Sequence, residues 1–143
     1  MLAHTAYREG EVAVNNMLNV PDEMNYDSIP SVIYTTPEVA SAGYTLSAAT
    51  EKGINADEVQ LSLMYSGRYI AENTDYTSIL KLVYDKDNNV LIGASVVGNY
   101  ASEYIVAVSN LIDMKVDIDR AKKLVFPHPT VCEVVREGLF EIK

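Results

Sequence analysis

Apolar residues at helical spacing open the chain. Leu2, Ala3, Ala6, Val14, Met17 and Leu18 fall near one face, while Arg8, Glu9, Glu11 and Asn15 lie elsewhere, which predicts a helix over Leu2–Leu18. Gly10 weakens that helix by about 1 kcal/mol relative to Ala. Pro21 closes it, and Asp22 to Ser28 form a polar connector. The run Ser31 to Thr35 is rich in β-branched and aromatic residues and predicts a strand. A short helix follows over Leu46–Lys52, with Thr45 as N-cap and Gly53 just beyond its end. Val59 to Tyr65 alternates as a strand, with Val59, Leu61, Leu63 and Tyr65 on one face. Ile79–Tyr84 and Val90–Val97 predict two more strands. The turn chemistry of Asp85-Lys86-Asp87-Asn88-Asn89 joins them as an antiparallel hairpin. Three helices complete the pattern, over Tyr100–Met114, over Ile118–Leu124 capped by Asp117, and from Val131 to about Phe140.

Meandering strands followed by helices predict an α+β fold, an antiparallel sheet with helices packed on it. The hairpin has no crossover helix, which argues against a doubly wound parallel sheet. The length of 143 residues suits one hydrophobic core. Lys and Arg number 11 against 20 Asp and Glu, and the resulting charge of −9 argues against nucleic acid or an anionic membrane as partner. Cys132 is the chain's one cysteine and the two histidines are far apart, so neither a disulfide within the chain nor a metal site is expected. No apolar run approaches a membrane span and the N-terminus lacks a signal-peptide pattern, so the expected setting is the reducing cytoplasm. No GxGxxG or Walker-type loop is present to cradle a nucleotide.

The segment with most chemical content is Phe126-Pro127-His128-Pro129-Thr130-Val131-Cys132-Glu133. Pro129 favours an extended conformation at His128. Thr130 is placed to cap the following helix, and Glu133 lies in its first turn. A carboxylate accepting from one imidazole nitrogen would fix the tautomer and leave the other nitrogen free as a base. The same spacing, Thr130-x-x-Glu133, also fits a capping box, in which Glu133 reaches back to a backbone N–H. Both readings stand on the pattern. Cys132 fits a small core residue or a reactive thiol, the former being the commoner use.

His-Pro-Thr-x-x-Glu, about ten residues before the last residue, resembles the C-terminal signature of the flavin-dependent disulfide oxidoreductases. Other stretches agree in order and spacing. Met1-Leu2-Ala3-His4-x-Ala6 followed by Glu9-Gly10 resembles the family's flavin-side helix. Ile29 to Thr35 followed by Pro37-Glu38-Val39-Ala40, Gly43 and Thr45 resembles the opening of its interface domain. Ile92-Gly93-Ala94 and Ala101-Ser102-Glu103 resemble its later hairpin and helix. Within the family the resemblance is greatest to the dihydrolipoamide dehydrogenases. Glutathione-type reductases usually carry Ser-Ser or Ser-Ala and then two acids after His-Pro-Thr, where this chain has Val131-Cys132-Glu133-Val134.

The resemblance implies two parts: residues 1–28, a helix and connector from the end of the flavin-domain region, and residues 29–143, the dimerisation (interface) domain. It implies that His128 is the acid/base taking a proton from a dihydrolipoyl thiol, with Glu133 orienting it, in a site shared across a homodimer. It also implies that Met1, Leu2, Ala3 and His4, with His128 and Pro129, border the flavin. Helix N-terminal amides suit its electron-rich edge. FAD and NAD are the implied cofactors of a full-length enzyme, and a lipoyl-bearing carrier of a 2-oxoacid dehydrogenase or glycine cleavage complex is the implied partner. The family's two nucleotide domains and its Cys-x4-Cys pair do not occur in this chain, so these residues are expected neither to bind the cofactors nor to run the reaction by themselves. Phe126-Pro127 stands where His-Ala is common, and Cys132 where Ser is usual. A glutathione-type reductase and a free-standing dimerisation module are the alternatives.

Homodimerisation also has a reading from the pattern. Ile105, Val106, Val108 and Leu111 spread over several faces of the Tyr100–Met114 helix, and a helix apolar on more than one face must be covered on both.

Overall fold

In the computed structural model, which describes residues 2–74 and 78–143, the β-forming runs pair into one five-stranded antiparallel sheet. The elements in chain order are α1 (Ala3–Met17), β1 (Ser31–Ile33), β2 (Val39–Gly43), α2 (Leu46–Glu51), β3 (Ala56–Leu61), a one-turn 3₁₀ helix (Leu63–Tyr65), α3 (Gly67–Glu72), β4 (Ile79–Asp85), β5 (Val90–Val97), α4 (Ala101–Asp113), α5 (Ile118–Ala121) and α6 (Glu133–Glu141). The strands lie in the order β1-β2-β5-β4-β3, every neighbouring pair antiparallel. The α+β architecture expected from the pattern is therefore present.

The register explains which face is buried. Ala40 pairs with Val96 and Ala42 with Ala94, and Val96 and Ala94 pair in turn with Leu80 and Leu82. All six are buried, and side chains on one face of a sheet follow this alternation. Helix α4 packs over β2 and β5, and α6 over β3 and β4. The other face carries Ser41, Ser95, and a Lys81–Glu58 ion pair at 2.8 Å. The result is two layers with one core between them.

Local chemistry sets the element ends. The Thr45 hydroxyl accepts from the Ala48 N–H at 3.2 Å, and Gly53 takes the left-handed conformation expected just past α2. Asp117 caps α5 through the Arg120 N–H at 3.1 Å. In the β4–β5 turn, one Asp85 oxygen accepts from the Asp87 and Asn88 amides. The Glu38 carboxylate, just before β2, accepts from the Ser102 N–H at 2.8 Å and so caps α4.

Three expectations need correction. The predicted strand Val59–Tyr65 stops at Leu61. Ser62 and Ser66 cap the 3₁₀ turn and α3 by accepting from the Met64 and Tyr69 amides, and these local bonds displace the ladder. Leu63 still reaches the core, but Tyr65 is exposed. Strand β2 and helix α3 went unpredicted. In β2 the small residues of Val39-Ala40-Ser41-Ala42-Gly43 carry little β-propensity, and pairing on both sides makes the strand. Finally, Ile105, Val108 and Leu111 are buried against the chain's own sheet, and Val106 alone of the four is exposed. The α4 pattern therefore gives no second apolar face that requires another copy.

Helix α1 differs from the rest in burying no residue. It is held by polar contacts centred on Asp22, which accepts from Arg8 at 2.8 Å, in a second Arg8 contact, and from the Asn15 amide at 2.7 Å. The Arg8 guanidinium, then Asn15, hold the Asp22 carboxyl at about 2, well below the usual range. Among the described residues no helix is long and apolar enough to cross a membrane.

Two glycines respond oppositely to an added methyl. A Cβ at Gly93 would fall 1.8 Å from the Tyr44 carbonyl oxygen, where β5 and the end of β2 touch backbone to backbone. Gly93→Ala should lower stability by about 1–3 kcal/mol or more in urea denaturation. At Gly10 there is open space, so Gly10→Ala should favour α1 by about 1 kcal/mol, read as slower amide exchange within that helix.

Candidate active site

The turn Pro127–Thr130 joins α5 to α6 and carries the site. Its anchor is α6, whose Val134, Val135 and Leu139 are fully buried. Val131, just before the helix, is buried as well. The chain bends at His128–Pro129, and that peptide is cis.

Glu133 accepts at both carboxylate oxygens. The His128 ring Nδ1 lies 2.9 Å from Oε1, and the Thr130 N–H donates to Oε2 at 2.8 Å. The His–Glu pair and the reach-back of a capping box therefore coexist on one side chain. The box is only half formed. The Thr130 hydroxyl donates to the Pro127 carbonyl at 2.7 Å instead of receiving the Glu133 N–H. The His128 side chain is 78% exposed and Glu133 only 21%. The Thr130 amide first, then the His128 contacts, pull the Glu133 carboxyl below the ordinary carboxylate range, against partial burial, which pushes the other way. Glu133 thus stays charged while fixing one nitrogen of an exposed ring. Among the described residues Nε2 of His128 has no hydrogen-bond partner.

Cys132 directly precedes α6 and is half-buried. Burial, then the Glu133 charge, push its thiol upward. That keeps the proton on sulfur and favours the packing reading over a reactive thiol. Among the described residues no group of three His, Cys, Asp or Glu side chains could hold a metal ion.

The residues expected at the flavin fall on two different parts of the fold. Leu2, Ala3 and His4 lie at the start of α1, where Leu2 is extended and offers no side-chain cap. The first intrahelical bond there is Ala6 N–H to Leu2 O. Among the described residues the amides of Ala3, His4 and Thr5 are thus free of intrahelical partners. His4 Nε2 lies 2.8 Å from the Pro30 carbonyl. Among the described residues no hydrogen bond or ion pair links His4 to His128 or Pro129. Met1 lies outside the described residues.

Sequence reasoning missed one residue of this site. The Ser66 hydroxyl donates to the Thr130 carbonyl at 2.9 Å across 64 positions of sequence. It sits between the 3₁₀ turn and α3, just beyond a stretch that alternates as a strand, so no local signal tied it to the His128 turn.

The model of the pyridine nucleotide-disulphide oxidoreductase dimerisation domain matches residues 29–139. The chain belongs to that family. Family members use FAD and NAD(P). The domain is 34% identical over 137 residues to the dihydrolipoyl dehydrogenase of Geobacillus stearothermophilus, covering 96% of this chain and 29% of that protein. It is 31% identical over 138 residues to dihydrolipoyl dehydrogenase 3 of Haloarcula marismortui, with 96% and 29% covered. The chain thus spans under a third of the length of these relatives. Among solved structures, LpdA from Mycobacterium tuberculosis superposes with a TM-score of 0.91 at 20% identity, over 99% of this chain and 31% of that one. The Cu(II) complex of RclA, a HOCl-induced flavoprotein disulfide reductase from Escherichia coli, gives 0.87 at 21% identity, over 100% and 33%. At these identities the two structures establish the shared fold of the dimerisation domain.

The depressed Glu133 carboxyl gives this turn a pH dependence. A carboxyl lowered in the folded state contributes stability above its unfolded value, near ~4.3, and loses it as pH falls through the folded value. Wild type should therefore exceed Glu133→Gln in stability most clearly above about pH 5 and converge on it only as pH falls through the lowered folded-state value. Urea denaturation from pH 3 to 7 measures the difference.

Proposed function

We propose that this chain is the C-terminal dimerisation domain of a flavin-dependent dihydrolipoamide dehydrogenase, and that His128 and Glu133 are its acid/base pair. The observation that carries this reading is the Glu133 carboxylate on Nδ1 of His128, with Nε2 open on an exposed surface. The relatives' printed name, dihydrolipoyl dehydrogenase, supports the substrate class. Residues 1–28 then belong with the flavin domain, and residues 29–143 form the interface domain.

Glu133 accepts from Nδ1–H and so leaves a lone pair on Nε2. A dihydrolipoyl thiol placed at Nε2 gives up its proton: the S–H bond breaks, the N–H bond forms, and the electron pair stays on sulfur as thiolate. Glu133 stabilises the imidazolium that results. When bound, FAD and NAD would supply the redox chemistry that takes up the electrons of the dithiol. The free amides of Ala3, His4 and Thr5 fit one edge of a flavin. The chain contains no glycine-rich phosphate loop, so its residues fit that edge alone. His4 and His128 serve different copies of the site in this reading. A second copy of the chain supplies the facing surface. Val125, 95% exposed beside the His128 turn, suits contact with it. A lipoyl-bearing carrier protein of a 2-oxoacid dehydrogenase or glycine cleavage complex delivers the substrate.

In the flavoenzyme carrying this domain, His128→Gln should lower dihydrolipoamide oxidation by about 10²–10⁴-fold with flavin content kept. Glu133→Gln should cost less than His128→Gln while the melting temperature at neutral pH drops only slightly. Its carboxamide oxygen can still cap Thr130, but its NH₂ would donate to Nδ1 and leave the proton on Nε2. Full activity of His128→Gln, or turnover of glutathione disulfide in place of lipoamide, would sink this reading.

A further inference from the structure

The geometry points to Ser66 as a positioning residue for His128, acting by holding the Thr130 backbone against the core so that Thr130 in turn holds Glu133. This rests on the acid/base reading above, but its test does not use turnover.

Three hydrogen bonds run in series from the core to the exposed ring. The Ser66 hydroxyl donates to the Thr130 carbonyl at 2.9 Å. The Thr130 N–H donates to Oε2 of Glu133 at 2.8 Å. Oε1 of Glu133 meets Nδ1 of His128 at 2.9 Å. Ser66 is 1% exposed, and its neighbours Leu63 and Tyr69 are core residues. The series therefore starts at a fixed point. The Thr130 carbonyl and N–H belong to different peptide groups, so Ser66 acts by placing the residue and not by polarising the amide that Glu133 uses. Thr130 is gripped on a third side through its hydroxyl bond to Pro127, but Pro127 belongs to the same turn and gives no link to the core. Ser66 supplies that link.

A rival role is visible on the same side chain, since Ser66 also caps α3 by accepting from the Tyr69 N–H at 3.2 Å. The hydroxyl can do both, because it donates one proton and accepts at its lone pairs. The test must separate these two uses.

The measurement is made on this chain by NMR, following amide exchange at Thr130 and the carboxyl titration of Glu133. The titratable and charged groups around that carboxyl are the His128 ring and Arg136, with the Cys132 thiol beside it. Ser66→Ala should speed Thr130 exchange by about tenfold, the loss expected for one net hydrogen bond. It should also move the Glu133 titration upward, toward the ordinary carboxylate range. Ser66→Cys, a weak donor of similar size, should do the same and stands in if the alanine variant fails to fold. Ser66→Thr, which keeps the hydroxyl, should restore both readouts. Ile70→Gly loosens α3 at an exposed position while keeping the backbone N–H that donates to the Ser66 carbonyl and leaving the Ser66 hydroxyl in place, and should leave both readouts near wild type. If the Ser66 variants speed exchange within α3 but leave Thr130 and Glu133 unchanged, Ser66 is a helix cap only and the inference is overturned. It is equally overturned if Ile70→Gly moves Thr130 and Glu133 as far as Ser66→Ala does.

Discussion

The close seating of α6 on the sheet is the constraint on which the candidate site depends. Gly138 allows it. A Cβ there would stand 2.8 Å from Leu82 Cδ1 and 3.2 Å from Leu61 Cδ2, inside the packing layer between α6 and strands β3 and β4. With that distance closed, Val134, Val135 and Leu139 are buried completely. Each aliphatic side chain so buried contributes about 1.5–3 kcal/mol. The first turn of α6 then has no freedom to slide, and Glu133 is located relative to the sheet by packing. Thr130 lies outside the helix, where hydrogen bonds hold it.

That division explains how an exposed histidine can be ordered. A solvent-exposed ion pair by itself contributes between nothing and about 1 kcal/mol, too little to hold a ring in one orientation. Here the carboxylate is fixed first. Its Oε2 is taken by a backbone amide of the adjoining turn, and Glu133 is mostly shielded while His128 is not. The depressed carboxyl is the electrostatic trace of that arrangement, and it keeps the group charged through the neutral range. The cap and the His–Glu pair are two halves of one device, because a carboxylate has two oxygens and the turn geometry uses both.

The sequence carried the ends of this structure better than its middle. Thr45, Gly53, Asp117 and the Asp85–Asn89 turn act through bonds within four residues of themselves, so their roles are legible from spacing. The His-Pro-Thr-x-x-Glu turn is legible for the same reason. What was not legible depends on partners far along the chain. Strand β2 exists because β1 and β5 flank it. The Leu63 side chain reaches the core from a 3₁₀ turn, and so keeps the alternation of a strand after the strand has ended. Helix α4 has apolar residues around much of its circumference, but β2 presents only Ala40 and Ala42 beneath it. Small residues let the helix sink until Ile105, Val108 and Leu111 are all covered. Ser66 was hidden because its partner is 64 residues away.

Helix α1 and the His128 turn are opposite solutions to presenting groups outside the core. The turn is rigid because a buried helix stands behind it. Helix α1 has nothing behind it: it buries no side chain and leaves Tyr7, Val14, Met17 and Leu18 exposed. An isolated helix of this length is marginal in water, so its attachment rests on the polar hub at Asp22 and on the His4–Pro30 contact. Such bonds fix direction while contributing little burial, and they leave the apolar side of α1 free for another protein surface. In the proposed enzyme that surface is the flavin domain. The same hub folds the connector back on α1, and the His4–Pro30 contact brings the start of that helix beside β1. Asp22 thus ties α1 to the connector, while Gly138 seats α6 on the sheet, the first through charge and the second through the absence of a side chain.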